Sequence, residues 1–262
     1  MRRQLSSLTY ALASSSTPRR LPITVTNLLD SSEPSDPSTS DTSARSKPIL
    51  SHIVLSTCLH AALLSDSEAL RAEHPGIERF KIAAEANLPI AFHANATLHG
   101  RVRQYSPSKD GFVEPFTATA TDGSVELQGP FSYFLSTTTC DRLEPTFVIA
   151  PTLASHPTTE QDSPSMDIIV LRPERDPVVR AAVGDEEKAK ARGARLGEAM
   201  GWAYNAGSHV RKTWKGGEGE IEDGGEGEVV CEVYRCEGFD WVPTVSGTVG
   251  LRTASRRYTE RS

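Results

Sequence analysis

The densest group of chemistry-bearing side chains lies in residues 59–80, LHAALLSDSEALRAEHPGIERF. Asp66, Glu68, Arg71, Glu73, Glu78 and Arg79 all fall there, with Arg71 three residues after Glu68. A carboxylate accepts a hydrogen bond from a hydroxyl or an amine. Two planar guanidiniums grip the oxygens of a phosphate. Placed near helix N-termini, whose free N–H groups also attract anions, such a set suits a ligand carrying both groups. The same residues support a second account. Asp66 or Ser65 then caps a helix, and the arginines pair with Glu68 and Glu78 on a solvated face.

Other reactive residues are more scattered. His60 sits among apolar neighbours in LHAALL and reads as a core histidine rather than a catalyst. The four cysteines are Cys58, Cys140, Cys231 and Cys236. They are too few and too dispersed for a disulfide framework, and they fit a reducing compartment. Cys231 and Cys236 lack a second Cys or His pair at zinc-finger spacing, so free thiols are expected there. The sequence holds no Gly-x-Ser-x-Gly elbow. Residues 215–228, KGGEGEIEDGGEGE, contain six acids and six glycines. Carboxylates repel phosphate and no Gly-Lys-Ser/Thr follows, so this stretch is expected to be a solvated loop, not a phosphate cradle. Its spacing also departs from an EF-hand loop. Trp202, Trp214 and Trp241 suit either a lipid pocket or a packed core. Arg192, Arg195, His209, Arg211 and Lys212 form a basic stretch, open to contact with an anionic membrane surface or to a solvated helix face.

The elements around these residues read as mostly β. Strands are expected at 51–57, 97–105, 125–137 (two, broken at Gly129-Pro130), 146–152, 166–171 and 229–242. The last alternates most clearly. Val230, Glu232, Tyr234 and Cys236 face one way, and Cys231, Val233 and Arg235 the other. Turns such as Thr121-Asp122-Gly123-Ser124 join these runs, which predicts an antiparallel sandwich. Helices are expected at 67–73, capped by Ser65 or Asp66 and closed by Pro75-Gly76, and at 77–88, burying Ile77, Phe80, Ala84 and Leu88. A third, over 185–203, carries a narrow apolar stripe at Leu196 and Met200.

Length and charge bound the answer. The 262 residues make one large domain or two small ones. The formal net charge of −6 disfavours nucleic-acid binding. Only 37% of residues are hydrophobic, as if polar segments dilute an ordinary core. Residues 31–48, SSEPSDPSTSDTSARSKP, form such a segment, a disordered linker. A short β-like run at 21–25, within 21–30, precedes it as an outer strand of the domain. Residues 1–20 hold four arginines, many serines and no acid. They resemble a mitochondrial transit peptide, the alternative being a short amphipathic or disordered leader. A secretory h-region is missing, and no apolar run approaches the ~18 residues of a membrane span. The expectation is a cytoplasmic protein with some membrane association; mitochondrial targeting is the lesser alternative.

Several segments, in order, resemble the diacylglycerol kinase/sphingosine kinase family of lipid kinases and its ceramide-kinase branch. Ser65-Asp66-Ser67-Glu68 is similar to the family's acidic turn, and Gly76-Ile77-Glu78-Arg79-Phe80 to its Gly-x-x-Arg-Phe. Gly129-Pro130-Phe131-Ser132-Tyr133-Phe134, then residues 145–151 (PTFVIAP), then residues 166–172 (MDIIVLR) continue the likeness. Residues 204–210 (YNAGSHV) and 237–243 (EGFDWVP) look like late segments of fungal-type members. The resemblance spans residues 50–245. It implies the family's C-terminal β-sandwich, the lipid-binding half, over 49–214 and 229–249, followed by a tail at 250–262.

The resemblance further implies roles. Asp66 matches the acid beside the lipid head group, with Glu68 as its partner or a cation ligand. Arg79 matches an arginine that reaches nucleotide phosphate, and Arg71 falls near a second one. ATP and Mg²⁺ are the cofactors it implies, and a lipid hydroxyl (sphingoid base, ceramide or diacylglycerol) is the acceptor. This sequence departs from the family in lacking Gly-Gly-Asp-Gly-Thr, the nucleotide loop with the aspartate base. Asp122-Gly123-Ser124 lacks the preceding glycines, and Glu222-Asp223-Gly224-Gly225 has the order reversed. At 245–249 Ser246 stands where the family has an acid. Phosphoryl transfer needs nucleotide, Mg²⁺ and hydroxyl in one frame. The chain alone is therefore expected to be inactive, needing an ATP-binding partner domain or chain. The alternative is a non-catalytic lipid- or protein-binding module.

Overall fold

A computed structural model of the chain describes residues 22–29, 47–116, 121–158, 164–244 and 250–257. Its two main sheets are six-stranded and antiparallel throughout. The first runs β2 (Ile49–Ser51), β1 (Pro22–Leu29), β14 (Gly250–Arg257), β13 (Gly238–Pro243), β4 (Ala94–His99) and β7 (Val125–Gln128). The second runs β3 (Val54–Thr57), β8 (Tyr133–Thr137), β9 (Met166–Leu171), β12 (Glu232–Cys236), β5 (Arg103–Ser106) and β6 (Gly111–Val113). The helices are α1 (Cys58–Ala69), α2 (Glu78–Asn87), α3 (Thr152–Ser155), α4 (Pro177–Ala181) and α5 (Asp185–Tyr204).

Side-chain alternation explains the layering. Leu98, Leu127, Phe134, Ile168, Tyr234, Phe239 and Trp241 come from both sheets and form one core between them. Trp241 packs there against Phe131 and Phe134, with ring centroids 4.9 and 4.8 Å apart. The other face of the second sheet supplies Leu135, Ile169, Cys231 and Val233 to a second core, shared with Leu196, Ala199 and Ala203 of α5. The second sheet thus has apolar neighbours on both faces. That is why β8 and β9 are buried along their whole length and read as continuous apolar runs. Within β12 the expected alternation holds, with Tyr234 and Cys236 in the first core and Val233 in the second, but Val230, expected on the Tyr234 face, packs against the second core with Cys231, just before the strand. The chain is mainly β with a few helices, as the sequence predicts. Helix α5 opens with Asp185, Glu186 and Glu187, which complement its dipole.

Several expectations are corrected. The first helix starts at Cys58, so Asp66 lies in its last turn and Thr57 takes the N-cap. No breaker separates Thr57 from Ala69, and the alanines and leucines there favour a helix. Ile77 is 85% exposed and the fully buried residues of α2 are Ala83 and Asn87, while Leu88 at its end packs against the second core as expected. The run at 146–152 is not a ladder strand. Pro145 and Pro151 bracket it, and the Val148 N–H donates to Ala203 O at the end of α5. Residues 215–228 are not a plain loop: β10 (Lys212–Lys215) and β11 (Glu220–Asp223) form a hairpin there. The expected tail contains β14, which pairs with both β1 and β13. That makes β1 an inner strand, flanked by β2 and β14. The leader at 1–20 and residues 31–46 of the expected linker lie outside the described residues.

One buried group gives the fold a pH dependence. His209 is fully buried, and its Nε2 bonds Ile149 O at 3.0 Å. Burial pulls its pKa from 6.5 down to about 4, against a smaller opposing effect of that hydrogen bond. Between those values the unfolded chain holds more protons than the native one, so stability falls as pH falls. The expected loss across this window is about 3 kcal/mol. Urea midpoints of wild type and His209→Gln should differ far less at pH 4 than at pH 7. A constant difference would contradict this.

Candidate functional site

Strand β3 runs straight into α1 through Cys58, whose φ of 60° is unusual for a residue with a side chain. A cysteine on a sharp strand-to-helix turn invites comparison with a nucleophile elbow. Its thiol is buried, however, and burial pushes its pKa up to about 12, so it carries no thiolate near neutrality. Nearby, Ser56 Oγ and His60 Nδ1 lie 2.6 Å apart, and burial lowers the His60 pKa. His60 is a satisfied, partly buried residue, as expected.

After α1 the chain makes a 3-10 turn at Leu70–Ala72 and returns as α2. This helical hairpin carries all four expected site residues. Asn87 is buried on α2; its Nδ2 donates to Asp66 Oδ2 at 2.6 Å and to Ala83 O at 2.9 Å. Asp66 thus fastens the two helices while remaining exposed itself. Arg71 donates to Glu68 Oε2 from Nε at 2.9 Å and from Nη2 at 2.6 Å. The Arg71 hydrogen bond holds the Glu68 pKa below its usual value, and the Arg79 charge adds to the effect. Arg79 lies over the Phe80 ring, 4.5 Å from its centroid. Its Nη1 donates to Pro75 O at 3.0 Å and Gly76 O at 2.7 Å.

The hairpin therefore collects Asp66, Glu68, Arg71 and Arg79, with Glu68, Arg71 and Arg79 within electrostatic reach of one another. Both arginines direct these donors at acceptors of the chain itself, so there is no ready phosphate cradle. The four residues as they stand do not fit Mg²⁺-ATP. The Glu68–Arg71 pair is over half exposed on both sides, and exposed pairs are readily exchanged. Concave sites among the described residues lie elsewhere. One is an open hollow of about 650 Å³ beside Arg142, Pro145 and Tyr204; another is a small cavity against α5.

The remaining expected residues resolve individually. Cys236 lies in the first core and Cys231, just before β12, in the second, so the two do not share a site. Among the described residues no cluster of three or more His, Cys, Asp or Glu is placed to hold a metal ion. The basic stretch is not one face. Arg195 pairs with Asp176 and Glu198, His209 is buried, Arg211 is 3.8 Å from Asp110, and Lys212 pairs with Asp223. Asp122 Oδ1 accepts from the backbone N and Oγ of Ser124, which makes it a turn residue. Residues 245–249, with Ser246, lie outside the described residues. Among the described residues no helix is long and apolar enough to cross a membrane.

The strongest polar constellations are ones that spacing does not reveal. Arg235 and Asp167 face each other across β12 and β9 with almost no exposure. Glu232 accepts from Arg172 and Tyr234, and Arg175 lies 3.0 Å away. The available signal is a charged residue inside an apolar strand, at 167, 232 and 235. Comparison with protein-family models and with curated proteins yields no match to this chain.

Proposed function

We propose that this chain is the lipid-binding part of a lipid-kinase-like protein. The acceptor is a lipid hydroxyl, and ATP is held by polypeptide carrying a Gly-Gly-Asp-Gly-Thr loop. The observation that carries this reading is the gathering of Asp66, Glu68, Arg71 and Arg79 on the α1–α2 hairpin, directly after β3. The order of the resembling segments along an antiparallel two-sheet stack supports it. In this reading Asp66 accepts a hydrogen bond from the lipid head group. Arg71 leaves Glu68 for a phosphate oxygen when nucleotide arrives with its own domain. No transfer step is assigned to the chain alone, because it lacks the Gly-Gly-Asp-Gly-Thr sequence.

A second reading is a non-catalytic lipid- or protein-binding module. What favours it is that Arg71 and Arg79 already bond Glu68 and the Pro75 and Gly76 carbonyls.

Sedimentation with phosphatidylcholine vesicles containing sphingosine, ceramide or diacylglycerol tests the shared claim. The purified chain is expected to pellet with one of them. Asp66→Asn keeps an acceptor for Asn87 and so should preserve the hairpin. It should nonetheless weaken retention about tenfold, since a hydrogen bond to a charged group contributes about 1.5–3 kcal/mol. No retention on any of these vesicles removes the lipid from both readings, and unchanged retention of the variant removes Asp66 from the site. Incubation with Mg²⁺, radiolabelled ATP and the same lipids separates the readings. The chain alone should transfer nothing, and adding a Gly-Gly-Asp-Gly-Thr domain should restore transfer only if the kinase reading holds.

A further inference from the structure

Where β9 ends, the small cavity is a half-open cleft lined by Ser132 before β8, Arg172 after β9, Asp176 before α4, Arg192 and Arg195 of α5, and Trp214 of β10. Its volume is about 30 Å³. A site of that size has room for roughly two water-sized spheres, given about 10–15 Å³ each.

Three polar atoms around it have no partner among the described residues. Ser132 and Trp214 are 2% and 4% exposed, yet among the described residues Ser132 Oγ and Trp214 Nε1 have no hydrogen-bond partner. Arg192 Nε is buried and likewise unpartnered; Arg192 donates from Nη1 to Pro89 O at 3.0 Å. An indole N–H and a guanidinium N–H can only donate. Leaving such groups buried without an acceptor is costly, and native proteins rarely do so.

Charge points the same way. Three arginines and one aspartate line the cavity. Asp176 is already engaged: Oδ1 accepts from the Val178 N–H at 2.8 Å, and Oδ2 lies 3.1 Å from Arg195 Nε. The buried carboxylate of Glu232 answers Arg172 and Arg175 together. Among the described residues Arg192 has no carboxylate partner; its Nη1 bonds the Pro89 carbonyl.

We propose that this cavity binds a small monovalent anion of halide size, held by Ser132 Oγ, Trp214 Nε1 and Arg192. Water in the site would satisfy these donors but carries no charge; an anion answers both the donors and the Arg192 charge. The anion joins three elements distant in sequence: the break before β8, helix α5 and the acidic hairpin β10–β11. It acts as a clamp that seats that hairpin against α5. The inference does not depend on the lipid-binding reading.

The test uses the ¹⁵N-labelled full chain and its three tryptophan indole N–H resonances. Sodium chloride replaces sodium gluconate at constant ionic strength. The Trp214 signal, assigned by its loss in Trp214→Phe, is expected to shift and saturate while those of Trp202 and Trp241 do not. Arg192→Gln should abolish the saturation, and Arg192→Lys, which keeps the charge, should retain a weaker saturable shift. The melting temperature of wild type should rise with chloride and not with gluconate, because a ligand of the native state stabilises it by mass action. A Trp214 resonance that drifts linearly, or equally in both salts, overturns the proposal and leaves buried water as the occupant. So does an unchanged saturable shift in a folded Arg192→Gln protein.

Discussion

Replacing Arg235 with methionine is expected to destabilise the protein by about 3–5 kcal/mol, read as a fall in the urea midpoint at pH 7. Asp167 lies opposite Arg235 in the β9–β12 register. Arg235 grips it from two nitrogens, Nε to Oδ1 at 2.7 Å and Nη2 to Oδ2 at 3.0 Å. The side chains are 3% and 0% exposed. Removing the guanidinium leaves a carboxylate in the interior with Thr152 Oγ1 as its other side-chain donor, at 2.8 Å. The guanidinium also covers the Phe112 ring at 4.1 Å, so packing is lost as well. The penalty belongs chiefly to the stranded charge, not to the missing bond. Arg235→Met combined with Asp167→Leu should therefore recover most of the loss, because an apolar pair of similar volume often equals a buried ion pair. A single variant within 1 kcal/mol of wild type, or a double variant worse than the single, would reject this account.

How much of this the sequence contains depends on the range of the interaction. Strand β9 is legible because a short apolar run has few other uses. Helix α5 is legible because its apolar stripe at Leu196 and Met200 is a local feature, and residues 185–203 are nearly its observed extent. The first helix is placed nine residues late, at 67 instead of 58, because Ser65 and Asp66 look like N-caps while the apolar Cys58–Leu64 carries no start signal of its own. The same limit applies to the site. The Glu68–Arg71 pair follows from three-residue spacing and appears as the second account anticipates. The bond from Asn87 to Asp66 joins residues 21 apart, and its existence depends on how two helices close. Arg235 and Asp167 are 68 apart and meet only because β9 and β12 pair in one particular register. A slip of one residue would turn both to opposite faces, and no local rule reports that register. Asp66, Glu68, Arg71 and Arg79 do share one hairpin, so their neighbourhood was readable. The partners of Asp66 and Arg79 were not.

Glu232→Gln tests the second buried constellation and is expected to cost about 3 kcal/mol at pH 7. Each oxygen of Glu232 is committed twice. Oε1 accepts from Arg172 Nη2 and Tyr234 Oη, both at 2.7 Å. Oε2 accepts from Arg172 Nε at 2.8 Å and lies 3.0 Å from Arg175 Nη1. An amide replaces one of those oxygens with a donor facing donors, and two partly buried arginines lose their countercharge. Burial by itself pushes the Glu232 pKa up. The Arg172 hydrogen bond and the charges of Arg175 and Arg172 outweigh it, and the pKa falls below the ordinary 4.5. A carboxyl depressed in the native state stabilises fully above its unfolded value and loses that contribution as pH falls through the native one. The stability gap between wild type and Glu232→Gln should thus be flat above pH 4.5 and narrow below it. This places it under the His209 window, which runs from 6.5 to about 4. Acid unfolding is consequently expected in two overlapping stages. His209→Gln should blunt the first and Glu232→Gln the second. If Glu232→Gln instead altered the slope between pH 5 and 6.5 and left it unchanged below 4.5, Glu232 would be buried as the neutral acid. Its arginines would then hold it by hydrogen bonds without an ion pair.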